Sequence, residues 1–212
     1  MSDLATIRRA YRYVVAYERR VLDTITQIDE SVREGGFERV KPHGWSPLYR
    51  AFPSKSWSAD SWAWDNVPNY ICRYSWERGE QNTVGAIRVL VDHVADSAFE
   101  SKILSRVGLP ELDPLTELGE PEKSRSLLRC LVVETVAPLP AATWKLYWHQ
   151  IFAAEFSVPA LDVLQPPTAI AHRESAGLRL TVSTVDLESF EDGATITERL
   201  LAPLRDVVAR RT

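Results

Sequence analysis

The chain has 212 residues, 45% of them hydrophobic and 25% charged, with a formal net charge of −4. That composition suits one soluble globular domain of moderate size. Nine Gly, 13 Pro and two Cys exclude collagen-like, disordered and disulfide-framework chains, and the mild acidity excludes a basic protein that coats nucleic acid. The unusual count is seven Trp against one Met.

The first 20 residues carry five Arg and no apolar run of signal-peptide length. No stretch approaches 18 apolar residues, so no membrane span and no membrane partner are expected. Cys72 and Cys130 fit no metal or redox spacing and read as buried free thiols, which points to the cytoplasm.

Residues 3–33 read as one long helix. Leu4, Ile7, Tyr11, Val14, Val21, Ile25, Ile28 and Val32 recur at alternating steps of three and four, and Glu18 fills the missing place. Asp3 is the expected N-cap, and Gly35-Gly36 stops the helix. Four such heptads, about 45 Å of helix, also suit a seam between two copies of the chain.

Residues 37–68 are irregular and aromatic, broken by Pro42, Pro47, Pro53 and Pro68. The period then changes to two. Residues 69–77 and 83–94 alternate on either side of a polar turn and predict a β-hairpin, with Tyr74 and Trp76 on one face and Ile87, Val89, Val91 and His93 on one face. Asp96 opens a helix that ends at Gly108, and an acidic connector fills 109–123. Residues 125–136 are apolar on both faces, as a central strand requires. A helix over about 141–156, a loop over 157–176, a strand over 178–187 and a helix over 194–211 complete the chain. Pro203 should kink the last helix or delay its start. The order predicts a single α+β domain, a mixed four- to five-stranded sheet with a long N-terminal helix and a C-terminal helix.

The scattered Gly contain no phosphate-binding loop, and no nucleophile elbow is present. His43, His93, His149 and His172 show no metal-ligand spacing. Three carboxylates stand on apolar positions or beside them. Glu134 shares a face with Leu128, Cys130 and Val132; its expected partner is Arg73, Arg88 or Arg129, unless it is functional. Asp92 lies next to His93 near a strand end. Glu18 interrupts the helix stripe. Convergence of Glu134, Asp92, His93 and Glu18 would suit a Mg²⁺ site or a shared proton.

The order helix, three strands, helix, strand resembles the core of the PD-(D/E)xK nucleases, in element order alone. In that family an acidic residue on one strand precedes Glu-x-Lys on the next, which would fall on Asp92 and Glu134, with Gln150 on the following helix. Glu134 is followed by Thr135 and Val136, so the lysine is missing.

The aromatic stretch interleaves Trp45, Trp57, Trp62 and Trp64 with Arg50 and Lys55, a pattern suited to a planar or anionic ligand, nucleic acid included. The leading expectation is a noncatalytic cytoplasmic binding or assembly module using this loop, without cofactor, and able to dimerise through helix 3–33. The alternative is a metal-assisted hydrolase using Glu134, Asp92, His93 and Glu18, where Mg²⁺ would be required. The two readings leave open whether the protein is an enzyme.

Overall fold

The computed structural model describes residues 3–40, 71–80, 83–95, 120–139, 169–175, 177–187 and 193–209. Helix α1 spans Asp3–Glu34, 32 residues, one residue past the expected end, and Asp3 is itself helical rather than the cap before the helix. Its C-terminus is a Schellman turn. Gly36 adopts φ +79, its N–H reaches the Arg33 carbonyl at 2.9 Å, and the Phe37 N–H reaches the Val32 carbonyl at 3.4 Å. Phe37 and Val32 both enter the core, the apolar contact that accompanies this turn. Arg78 closes the end by donating to the Gly35 carbonyl at 2.7 Å while its guanidinium lies 4.5 Å from the Phe37 ring centroid.

The strands are β1 (Glu38–Arg39), β2 (Ile71–Arg78), β3 (Ile87–Val94), β4 (Leu127–Thr135), β5 (Ala169–Ser175) and β6 (Leu178–Asp186). They form one sheet in the order β1-β2-β3-β4-β6-β5. Every pairing is antiparallel, where a mixed sheet was expected. The predicted hairpin is β2–β3, and β4 is central as its apolar sequence requires. Strand β5 lies in a stretch expected to be loop. Its sequence ends in His-Arg-Glu-Ser, which suits an edge strand and lacks the apolar alternation that marks an inner one.

Strand parity gives the sheet two faces. Tyr74, Trp76, Ile87, Val89, Val91, Leu128, Cys130, Val132 and Val185 face the helices and merge with Val21, Ile25, Ile28 and Val32 of α1. The C-terminal helix α2 (Gly193–Ala209) adds Ile196, Leu200, Leu201 and Leu204 to the same core. It runs on through Pro203. The Ser183 hydroxyl of β6 donates to the Leu200 carbonyl at 2.7 Å, which pins α2 over β4 and β6 beside α1. Each fully buried Val, Ile or Leu contributes about 2 kcal/mol of transfer free energy. Leu90, Leu131, Val133, Leu180 and Val182 are buried on the opposite face, so the sheet is apolar on both sides. Cys130 is a buried free thiol. Burial, then the nearby Asp92 charge, push its pKa up to about 12, so it is inert at neutral pH. No helix among the described residues is long and apolar enough to cross a membrane.

Candidate functional site

Asp92 and His93 are consecutive in β3, so they point to opposite faces. Asp92 stands in register with Arg129 of β4, which in turn faces Thr184 of β6; all three are buried. Glu134 lies on the helix-bearing face, paired in register with Ile87. Five residues of strand, about 17 Å, and the thickness of the sheet separate Glu134 from Asp92. Glu134 is partly buried and accepts from Arg179 Nη1 at 3.2 Å. Arg179 also donates to Glu174 at 3.1 Å. Its partner is therefore Arg179 rather than Arg73, Arg88 or Arg129; Arg88 donates instead to Glu77 at 2.8 Å. The structure does not bring Glu134 and Asp92 together. Among the described residues no three His, Cys, Asp or Glu side chains converge on a metal position. The two strand acids thus stand on opposite faces of the sheet, where one cation cannot bridge them.

His93 and Glu18 do share a region, where α1 passes the end of β3. The Tyr17 hydroxyl lies 2.8 Å from His93 Nε2. The two rings are tilted by 42° with centroids 5.6 Å apart. The Ser126 hydroxyl donates to the Ala95 carbonyl at 2.7 Å, so its side-chain hydrogen bond with Tyr17 has Tyr17 as donor, which goes with the Nε2–H tautomer of His93 donating to the Tyr17 oxygen. Burial lowers the His93 pKa to about 4, which keeps the ring neutral. Burial raises Tyr17 to about 12, with the Ser126 bond opposing and the Glu18 charge adding. Glu18 is 5% exposed, and burial raises its carboxyl to about 7. A neutral imidazole held by a phenol that does not ionise locks α1 to the sheet. It offers no base or nucleophile to a substrate, since His93 is 1% exposed.

A second lock holds the other end of α1. Asp29 is 2% exposed. Its carboxylate accepts from Arg39 Nε at 2.6 Å, from Arg39 Nη2 and from Trp76 Nε1 at 2.8 Å. Burial pushes its pKa up, but the hydrogen bonds from Arg39 and Trp76 and the charges of Arg39 and Arg33 outweigh burial and hold it below the usual value. Sequence reasoning missed this cluster. Its signal is an acidic residue directly after Ile28 and four residues after Ile25, at the margin of the apolar stripe.

Between these locks α1 lies on the sheet; before Tyr17 it leaves it. Tyr17 meets His93, one residue from the end of β3, while Asp29 meets Trp76 farther along. The helix therefore runs off the His93 end of the sheet, and residues 3–16 extend about 20 Å beyond it. The stripe continues along this overhang and, among the described residues, its Leu4 is 61%, Ile7 50% and Val14 39% exposed, beside a 55% exposed Tyr11. Arg8 and Arg12 are exposed and, at 100° per residue, line one flank of the stripe together with Arg19. A contiguous exposed apolar patch with a charged rim marks an interaction surface.

Trp45, Trp57, Trp62 and Trp64, with Arg50 and Lys55, lie outside the described residues, as do the helices expected after Asp96 and over 141–156. No curated protein and no solved structure matches this chain. A family model described as PM0109 matches residues 2–197, and the chain belongs to the PM0109 family.

Proposed function

We propose that this protein is a noncatalytic binding or assembly module of the cytoplasm, and that its docking element is the overhang of α1. The observation that carries the reading is the exposed stretch of a stripe whose continuation, Val21 to Val32, forms the core. Fold stability accounts for the second half of that stripe and leaves the first half unexplained. The buried acid and base groups support the same reading, because Glu18, His93, Asp92 and Asp29 are each withdrawn from solvent. The buried thiol of Cys130 suits a reducing compartment. The aromatic stretch 37–68, with Trp45, Trp57, Trp62, Trp64, Arg50 and Lys55, is the second contact region in this proposal.

The test is a photo-activatable cross-linker placed at Ile7 in the full chain, in the cell, with Arg9 on the back of the helix as the control position. Adducts formed at position 7 and not at position 9 support a docking face. Equal yields at both positions, or none at either, refute it.

A further inference from the structure

The charge and the shape of the overhang narrow its partner. Its apolar stripe is on the same side of α1 as the sheet, because the stripe of Val21, Ile25, Ile28 and Val32 packs into the core. The overhang and the end of the sheet thus form a step. Among the described residues the core of the folded body stands on the same side of α1 as Leu4, Ile7 and Val14, a step along which a single helix or extended segment fits better than a flat surface. The body also excludes a parallel pairing of two α1 helices, since both bodies would occupy one place. The remaining self-pairing is antiparallel, and an antiparallel two-fold sets a flank against its own copy. Arg8 and Arg12 of one chain would then face Arg12 and Arg8 of the other, and like charges across a helix pair are repulsive.

We propose that the overhang binds an acidic amphipathic segment of a different protein, with apolar side chains on Leu4, Ile7 and Val14 and carboxylates against Arg8 and Arg12. This inference rests on the docking role of α1 proposed above and adds the chemistry of the partner. It assigns the net positive charge of the first 20 residues, five Arg against Asp3 and Glu18, a purpose in a chain that is acidic as a whole.

The experiment uses the full chain and two labelled synthetic peptides, each with Leu at the heptad a and d positions, one carrying Glu and the other Lys at e and g. Fluorescence anisotropy reads binding. The Glu peptide should bind, weaken as salt screens the flank, and weaken about tenfold in Arg8→Glu/Arg12→Glu, as expected when two rim ion pairs become like-charge contacts. Both substituted positions are exposed, so the fold is unaffected, and circular dichroism checks that. Equal binding of the Lys peptide, or no binding of the Glu peptide, overturns the proposal. So does a concentration-dependent dimer of the chain alone in light scattering, or co-sedimentation with phosphatidylserine-containing vesicles in preference to the Glu peptide. The cross-linking experiment separates the two levels. Adducts at position 7 that prove to be a second copy leave the docking face standing and remove the acidic partner; absence of adducts removes both.

Discussion

Two buried titrating side chains oppose each other across the mildly acid range. Glu18 has a folded pKa of about 7 against an ordinary 4.5, so its folded form holds the proton longer than the unfolded chain does. Its contribution is fully present below pH 4.5 and is lost as pH rises through 7. His93 has a folded pKa of about 4 against 6.5, so its contribution is present above 6.5 and is lost as pH falls through 4. Each effect reaches about 3 kcal/mol. Between 4.5 and 6.5 the two slopes cancel. Relative to the wild type, Glu18→Gln should gain stability steadily as pH rises from 4.5 to 7, whereas His93→Gln should lose it as pH rises from 4 to 6.5. Urea unfolding across pH 4 to 8 measures both; parallel pH profiles for variants and wild type would contradict the burial of these groups. Asp29 behaves differently. Its lowered pKa means that its contribution is present above the ordinary carboxylate value and lost as pH falls through the folded one. Asp29→Asn should cost about 2 kcal/mol at neutral pH, because it weakens a charged hydrogen-bond set with Arg39 and offers the Trp76 Nε1–H donor a weaker, uncharged acceptor.

At the scale of elements, α1 combines a structural half with an exposed half, and Glu18 sits at the junction. The periodic stripe, the Gly35-Gly36 stop, the β2–β3 hairpin and the central β4 were legible in the sequence because periodicity and turn chemistry are local. The two-residue β1 was not, since its partner β2 is distant in sequence, and β5 was not, because it lacks apolar alternation even though its partner β6 follows directly across residues 176–177. The same limit applies to the site. Parity alone puts Asp92 and His93 on opposite faces, but pairing Glu134 with Arg179 depends on the β4–β6 register, 45 residues apart, and Tyr17 with His93 on a separation of 76. Gly36→Ala should cost about 1 kcal/mol, since φ +79 strains any residue with a Cβ. Thermal unfolding measures it, and an unchanged midpoint would mean that the helix does not end in the Schellman turn.

At the scale of the whole molecule, the stripe divides into a half that builds the core and a half proposed to meet a partner. Val21, Ile25, Ile28 and Val32 serve the core, whereas Leu4, Ile7 and Val14 stand beyond it. Ile25→Ala should destabilise the chain by about 3 kcal/mol, the transfer and cavity cost of a fully buried Ile. The decisive measurement is the urea unfolding free energy of the triple variant Leu4→Ser/Ile7→Ser/Val14→Ser beside that of Ile25→Ala. A triple variant within about 1 kcal/mol of the wild type, together with a loss of Glu-peptide binding, is the predicted result. A loss of stability as large as that of Ile25→Ala would show that the overhang belongs to the core and would contradict its role as a docking face.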